Sequence, residues 1–502
     1  MLAWTIYLSF AGALAEALLP KGRAGLARGL ALVISIAGLA IAIAGFVADA
    51  CKGRITIVDA AWVPTMGVHY LLAADGISRV LVLLTGFAAV AGVLFSWNVD
   101  LRTNEFFAFL LALIGGVYGV FLSFDLFLLF VFYEIAIVPK YFLIAIWGST
   151  RREYAAMKLA LYSFVGSAMV LVGLLAAYAT SGSHSTSLDA LAHAGLSVHF
   201  QMWAFPLTFV GFAILAGMWP FHTWAPTGHV AAPTAASMLL AGVVMKLGAY
   251  GCLRVAMSLF PHGMDAWGFS FIGIGSWRDV FALLAVIGII YGALVALVQT
   301  DFKFVIGYSS VSHMGFVLLG LMTLNQIGVT GAVLQMFSHG ILAGLLFGIV
   351  GRMVYDRTHT RQFADLEKMH LTRRMPFVAG AFVVAGMASM GLPGFSGFVA
   401  ELQVVAGSWR ANPFWTCAAG VGIVVGVAYT WRALQKAFFT DLRPTAEDHP
   451  RTGWHDLDPM TWPEVAGFGL LTAASLAIGL YPRILLDSIE PAVKALLAGG
   501  GQ

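Results

Sequence analysis

Residues 130–147, FVFYEIAIVPKYFLIAIW, have the length and composition of a membrane-spanning helix but contain two ionisable side chains, Glu134 and Lys140, with Pro139 between them. A helix needs about 20 apolar residues to cross the hydrocarbon core of a bilayer, which is about 30 Å thick. A charged side chain at the centre of such a helix costs about 2.5–3.5 kcal/mol on the scale derived from insertion experiments. Glu134 lies too deep in the run to reach the surface. The stretch therefore predicts a membrane protein that keeps ionisable groups inside the bilayer for a function.

The composition of the whole chain predicts an all-α integral membrane protein. Of its 502 residues, 60% are hydrophobic and only 11% are charged, whereas about a quarter of the residues of a soluble globular protein are charged. The apolar runs are long and continuous, unlike the alternating strands of an outer-membrane β-barrel. The formal net charge of +3 gives no reason to expect a nucleic-acid partner.

No cofactor motif is visible in the sequence. The three cysteines, Cys51, Cys252 and Cys417, are far apart, which argues against a disulfide framework or an iron–sulfur ligand set. There is also no Walker phosphate-binding loop and no G-x-G-x-x-G after a strand. We therefore expect no cofactor in this chain.

Fourteen apolar runs predict about 14 transmembrane helices, numbered here as spans in chain order. The runs are residues 2–19, 26–47, 77–97, 106–123, 124–147, 158–180, 203–223, 235–258, 280–298, 304–322, 329–355, 376–408, 414–438 and 463–481. The first run lacks the basic start and the cleavage site of a signal peptide, so we interpret it as a span. The tail after the last run predicts a short amphipathic helix.

The distribution of positive charge predicts the orientation of the chain. If the N-terminus lies outside, 18 of the 28 Lys and Arg residues fall in cytoplasmic segments and 8 on the opposite side, and the remaining two, Lys140 and Lys246, lie within spans. Cytoplasmic loops carry an excess of Lys and Arg. We therefore predict a bacterial-type inner (plasma) membrane protein with both termini on the non-cytoplasmic side.

Two spans are interrupted by proline and glycine. Span 7 runs into residues 217–237, GMWPFHTWAPTGHVAAPTAAS, and span 12 contains residues 388–403, ASMGLPGFSGFVAELQ. Such breaks, five spans apart, are typical of two inverted repeats with a polar pathway between them. We therefore predict four regions: residues 1–105 with spans 1–3, residues 106–260 with the first five-helix repeat, residues 261–440 with the second, and residues 441–502 with the last helix and the tail.

Five ionisable residues near the middle of spans form a candidate proton pathway: Glu134, Lys246, His313, His339 and Glu401. In chain order they are an acid, a base, two imidazoles and a second acid, all of which can bind and release protons. Each also has a structural alternative. Glu134 can be a protonated acid that joins helices by hydrogen bonds, Lys246 can be permanently paired, and each histidine can be a hydrogen-bonded core residue.

A second tier of candidates consists of His222, His229 and Lys303. The two histidines flank the break in span 7 and fit the positioning of the broken helix or the access of protons. We expect no metal site, because no further Cys, Asp or Glu accompanies them. Glu16, near the end of span 1, is expected to extend toward Lys21 and Arg23 at the surface.

Four motifs resemble the antiporter-like subunits of respiratory complex I, the proton-translocating NADH:quinone oxidoreductase. They are EIAIVPKYFLIAIWG (134–148), PFHTWAPTGHVAAPTAASMLLAGVVMKLGAYGCLR (220–254), DFKFVIGYSSVSHMGF (301–316) and GLPGFSGFVAE (391–401). The resemblance covers about residues 100 to 440. Of the L, M and N types, the M type carries Glu at the position of Glu401, where the other two carry Lys. The absence of the long C-terminal lateral helix of the L type also indicates the M type.

The resemblance implies a fourteen-helix subunit of the membrane arm that translocates protons beside L-type and N-type neighbours. It implies that NADH, FMN, the iron–sulfur clusters and quinone belong to partner subunits, so this chain is part of an enzyme but has no redox centre. Glu134, Lys246, His313, His339 and Glu401 match the proton-pathway positions of the family.

One position departs from the family pattern. The family usually has a lysine in span 7, seven residues before the first histidine of the H-x-W motif, and this lysine pairs with the glutamate of span 5. Here that position is Leu215, and Lys140 stands where an apolar residue is common. We hypothesise that Lys140 replaces the missing partner of Glu134, although it lies about 9 Å further along the helix and on another face.

Three other functions remain open. The chain can be a D-type subunit of a multisubunit sodium/proton antiporter, although such subunits generally carry Lys at the position of Glu401. It can be a membrane subunit of a proton-translocating hydrogenase. The missing lysine also allows a scaffold subunit that no longer conducts protons.

Overall fold

The computed structural model describes residues 1–20, 22–48, 53–265, 274–439 and 457–499, and this part of the chain forms a bundle of fourteen spans. Twelve are long apolar helices, and two come from shorter ones, which are span 1 and the broken span 12. Spans 1 to 7 are Ala3–Leu18, Ala24–Ala48, Gly76–Phe95, Thr103–Leu122, Leu126–Trp147, Arg152–Ser181 and Val198–Ala231. Spans 8 to 14 are Thr234–Leu259, Trp277–Val298, Phe302–Met322, Gln326–Thr358, Pro376–Ser389 with Ser396–Ala411, Pro413–Phe438 and Trp462–Leu480. The predicted fold class is confirmed.

Short elements connect the spans. A hairpin of two antiparallel strands, Ile55–Val63 (β1) and Val68–Ala74 (β2), follows span 2. This hairpin was not predicted, because its residues fall between two apolar runs. Short helices cover Leu188–Ala192, Pro261–Asp265, Phe363–Leu366 and Leu371–Arg374, and a C-terminal helix covers Arg483–Gly499. Leu485, Ile489 and Val493 form the buried face of the C-terminal helix.

The two ends of the bundle differ in charge. One end, called here the arginine-rich face, carries Arg151, Arg152, Arg352, Arg357 and Arg361 at the ends of spans 5, 6 and 11. The other end, called the hairpin face, carries the β-hairpin and the C-terminal helix. The C-terminal helix contacts the bundle where Ser488 packs against the Gly76 backbone at the start of span 3. The division of the chain into four regions stays a prediction.

Span 7 is broken where the sequence predicts it. The helix Val198–Ala216 ends at Gly217, whose φ of 81° is left-handed, and a turn at Phe221–Thr223 leads into the helix Trp224–Ala231. At the break, the Ile214 carbonyl accepts hydrogen bonds from the Gly217 backbone N–H at 3.1 Å and from the indole Nε1 of Trp224 at 2.8 Å. The irregular backbone is thus satisfied inside the protein.

Spans 8 and 11 lie at the centre of the bundle, where other spans bury them on all sides. Both leave regular α-helical geometry. Span 8 has π-helical turns at Leu240–Val244 and Cys252–Ala256, and span 11 has one at Ile349–Tyr355. The segment Met245–Gly251, which carries Lys246, lies between the two turns of span 8. Such turns are frequent at functional sites.

Candidate proton-exchange site

Lys246 and His339 are in direct contact at the centre of the bundle. The ammonium Nζ of Lys246 lies 2.8 Å from Nδ1 of His339 and also donates a hydrogen bond to the Ala241 carbonyl in the adjacent π-helical turn. Lys246 is completely buried and His339 is 4% exposed. This contact accommodates two proton arrangements without moving heavy atoms: a charged lysine that donates to the ring, or a neutral lysine that accepts from it. The pair can therefore exchange a proton.

His313 extends the contact from span 11 to span 10. The rings of His313 and His339 are stacked, with centroids 5.3 Å apart and planes inclined by 27°. Nδ1 of His313 lies 3.2 Å from the carboxylate Oε1 of Glu401 on span 12. Nε2 of Gln335 lies 3.4 Å from the same Nδ1. The structure thus joins Lys246, His339, His313 and Glu401 into one polar chain across spans 8, 11, 10 and 12.

Two small cavities border His313 and Glu401. Each has a volume of ≈ 10 Å³, which is about the space that one water molecule needs. The first is also lined by His339, Ser338 and Gln335, so a water there would touch both rings of the stack. Water of this kind would carry a proton between imidazoles that face each other without a direct hydrogen bond.

The second-tier residues lie at different places. His229 is completely buried and packs on Phe347 with ring centroids 5.4 Å apart. Lys303 donates a hydrogen bond of 3.1 Å to the Ala232 carbonyl between spans 7 and 8. It borders a cavity of ≈ 190 Å³ at the arginine-rich face.

His222 lies outside the polar chain. Its ring packs against Tyr291 and Tyr308, with centroid distances of 5.1 and 6.4 Å, and it has no hydrogen bond to the polar chain in the described part of the molecule. Among the same residues, no group of three or more His, Cys, Asp or Glu side chains could hold a metal ion.

Glu134 and Lys140 form a separate group. Lys140 is completely buried, so it faces the protein and not the lipid. Glu134 is partly buried and lies on the same span, six residues before Lys140. Neither Nζ of Lys140 nor Oε1 of Glu134 has a hydrogen-bond partner among the described residues. Leu215 is buried in span 7 and supplies no charge.

Comparisons with known proteins show the family of the chain. A family model described as the transmembrane region of NADH:quinone oxidoreductase and Mrp antiporters matches residues 123–426. The chain belongs to this family. The match contains all five members of the candidate pathway.

Relatives within the family carry M-type names. NADH-quinone oxidoreductase subunit M of Rhodobacter capsulatus is 37% identical over 478 residues, which are 93% of this chain and 89% of that protein. NAD(P)H-quinone oxidoreductase chain 4 1 of Synechococcus elongatus is 35% identical over 98% of this chain and 90% of that protein. The predicted M-type resemblance is confirmed.

Solved structures share the fold. A chain of respiratory complex I from Thermus thermophilus with bound NADH matches with a TM-score of 0.89 and 25% identity, and all of both chains is covered. A chain of the Mrp complex from Dietzia sp. matches with a TM-score of 0.81 and 21% identity over 99% of this chain and 97% of that chain, which shows a common fold.

Sequence reasoning missed polar members of the site. Ser338 precedes His339 on span 11, and its hydroxyl lies 2.8 Å from the Ser396 hydroxyl on span 12. The Ser396 hydroxyl in turn lies 3.0 Å from the Ser475 hydroxyl on span 14. Gln335 was missed as well. A signal was present, since Gln335 and His339 are four residues apart and share a helix face.

Proposed function

We propose that this chain is the M-type, proton-translocating subunit of the membrane arm of an NADH:quinone oxidoreductase, driven by quinone reduction elsewhere in the complex. Family membership and the relatives named above support a membrane-arm subunit. The observation that carries the proton pathway is the continuous contact from Lys246 through His339 and His313 to Glu401.

Each residue has a proposed role. Lys246 loads a proton and passes it to His339, His313 relays it, and Glu401 receives it, with single waters in the small cavities completing the relay. Glu134 is the acid of the other half of the subunit, and Lys140 is its charge partner.

The second-tier residues His222, His229 and Lys303 are proposed to act on the side from which Lys246 receives its proton. His229 is completely buried near the end of span 7 and would pass protons between the cavity at the arginine-rich face, which Lys303 lines, and Lys246. Lys303 holds the end of the broken span 7 in place, and His222 positions the break itself.

The proposed setting is a multi-pass subunit of the bacterial plasma membrane beside L-type and N-type neighbours, with NADH, FMN, iron–sulfur clusters and quinone in partner subunits. The arginine-rich face would lie toward the cytoplasm and both termini on the opposite side. The abundance of arginine at the ends of spans 5, 6 and 11 supports this orientation.

The test is proton translocation by the assembled complex in inverted membrane vesicles. Lys246→Ala should lower the number of protons moved per electron, since it removes the group that begins the chain. Lys246→Arg is the matched control for charge: it keeps the positive charge but cannot release a proton, so it tests whether the charge alone is enough. An unchanged stoichiometry in both variants would contradict the proposal.

A second candidate is a scaffold subunit that no longer conducts. It is favoured by the absence of charge at Leu215 and by the lack of a direct ion pair at Glu134 within the described residues. The stoichiometry of Lys246→Ala separates the two, because a scaffold is indifferent to this change.

A further inference from the structure

Glu16 is a buried acid outside the polar chain. It lies in span 1, near the end at the arginine-rich face, and none of its surface is exposed. Neither carboxyl oxygen has a hydrogen-bond partner in the described part of the chain. The expectation that it extends to the surface toward Arg23 is therefore wrong, and the position of Lys21 lies outside the described residues. The reason is space, since small residues of the neighbouring span leave room for the side chain inside the bundle.

The pocket around Glu16 is formed by spans 1, 2 and 4. Spans 2 and 4 both pack along span 1. Ala27 and Ala31 are completely buried, and the hydroxyl of Ser35, one turn further along, has no partner among the described residues. The side chain thus lies against small residues with a single hydroxyl nearby.

The charged groups of these spans are engaged elsewhere. Arg28 on span 2 pairs with Asp100 beyond the end of span 3, and Glu105 on span 4 pairs with Arg102. The Tyr118 hydroxyl of span 4 lies beside Gly38, about 10 Å along span 2 from Ala31. A carboxylate in this pocket would be charged, desolvated and unpaired, so the favoured form is the neutral acid.

Access to the pocket is one-sided. Toward the hairpin face the next small residue of span 1 is Gly12, where Ile34 and Leu111 close the gap so tightly that a methyl group would overlap Ile34. Toward the arginine-rich face, span 1 ends at Leu18 and the chain turns at the Leu19 carbonyl, which accepts a hydrogen bond of 3.0 Å from Asn104. Polar groups and the surface are within one helical turn on this side only.

We propose that Glu16 is a proton-binding site, separate from the Lys246–Glu401 chain, whose proton exchanges with the arginine-rich face alone. It gives spans 1–3, which carry no member of the pathway, a titratable group of their own. The ligand is a proton, held by a completely buried carboxyl that has no hydrogen-bond partner among the described residues.

A hydrophobic carbodiimide reports on such a site. The reagent reacts with a protonated carboxyl in apolar surroundings: the proton moves to one nitrogen and the carboxylate oxygen bonds to the central carbon. The acyl group then shifts to nitrogen and leaves a stable N-acylurea, with nothing released or oxidised. The product is quantified on the peptide that contains Glu16 by mass spectrometry.

The experiment uses membrane vesicles that hold the assembled complex, with dicyclohexylcarbodiimide as the probe and the pH set independently on each side. We expect labelling of Glu16 to fall several-fold when the arginine-rich side is raised from about pH 6 to about pH 9, and to be unchanged when the other side is raised. Glu464 is the matched control: it is 1% exposed but paired with two arginines, so it should stay unlabelled.

Three results would overturn the proposal. They are labelling of Glu16 that is independent of pH on both sides, labelling that follows the hairpin side, and absence of label on Glu16 in samples where Glu401 is labelled. Glu16→Gln should remove the span 1 signal, which confirms the site of reaction. None of these outcomes depends on the role of Lys246.

Discussion

Among single residues, Lys140 is the one whose chemistry departs most from its surroundings. It is a completely buried ammonium group without a hydrogen-bond partner among the described residues, on the same helix as Glu134. An ionised side chain buried without a partner costs free energy, so it is usually retained for function, and an apolar residue of similar size should be at least as stable in its place. Stability and function should therefore respond oppositely to its removal.

We predict that Lys140→Leu lowers proton translocation while leaving the thermal stability of the complex unchanged or higher. The reason is that Glu134 loses its proposed charge partner on the same span. The measurement is protons moved per electron, together with the melting temperature of the purified complex.

The matched variant is the double substitution Lys140→Leu with Leu215→Lys, which returns the charge to span 7. Recovery of translocation in the double variant would show that Glu134 needs a positive charge, which either span 5 or span 7 can supply. Wild-type translocation in Lys140→Leu alone would exclude a role for Lys140.

At the level of elements, the break in span 12 depends on two glycines in left-handed conformation. Gly391 has φ of 78° and Gly394 has φ of 102°. They differ in their surroundings: a Cβ on Gly391 would lie 3.1 Å from Oε2 of Glu401, whereas a Cβ on Gly394 would meet nothing within 4 Å. Gly391 therefore allows the Glu401 carboxyl to approach the backbone, whereas Gly394 is required only by the conformation of the turn.

This difference predicts two kinds of defect. Both Gly391→Ala and Gly394→Ala should destabilise the subunit by about 1–2 kcal/mol, the cost of a left-handed residue with a side chain. Only Gly391→Ala should also reduce proton translocation, because its methyl group displaces Glu401 from His313. Melting temperature and protons per electron measure the two effects, and an equal loss of translocation in both variants would contradict this assignment.

The elements also show how far sequence reasoning reaches. The spans and their two breaks follow from apolar runs and from Pro and Gly positions, so they were predictable. The hairpin was not, because β1 and β2 pair across only a short turn in a region that the search for spans treated as a connection.

The contact between Lys246 and His339 is a different case. The residue types were predictable, but the contact joins positions 93 residues apart and depends on a π-helical turn that changes the direction of Lys246. Helix-to-helix register and local π geometry leave no periodic signal in the sequence.

For the whole molecule, the polar chain crosses from one predicted repeat to the other. Lys246 belongs to the first repeat, and His339, His313 and Glu401 belong to the second. Inverted-repeat transporters place their sites at the repeat interface, so this arrangement is the one expected for a pathway that changes access from one side to the other. Glu134 and Lys140 lie in the first repeat, and no described hydrogen bond links them to Lys246.

Span 14 belongs to neither repeat, and a buried ionic cluster fastens it to span 11. Glu464 is 1% exposed, and its carboxylate lies 2.7 Å from Nε of Arg352 and 2.8 Å from Nη2 of Arg357. The same carboxylate also accepts a hydrogen bond of 2.8 Å from the Thr461 backbone at the start of span 14. One side chain thus fixes both the position and the beginning of the last span.

We predict that Glu464→Gln destabilises the subunit by about 3–5 kcal/mol, because it removes the charge shared by both arginines and leaves Arg357 without an anionic partner among the described residues, although Arg352 keeps Asp356. Asp100→Asn is the control, since its ion pair with Arg28 lies at the surface with Asp100 85% exposed, and surface pairs are worth about 0–1 kcal/mol. Thermal unfolding of the purified complex measures both changes. Because the cluster lies away from the polar chain, the protons moved per electron should stay the same in whatever complex still assembles. Equal melting temperatures for the two variants would mean that span 14 is held by apolar packing and not by this cluster.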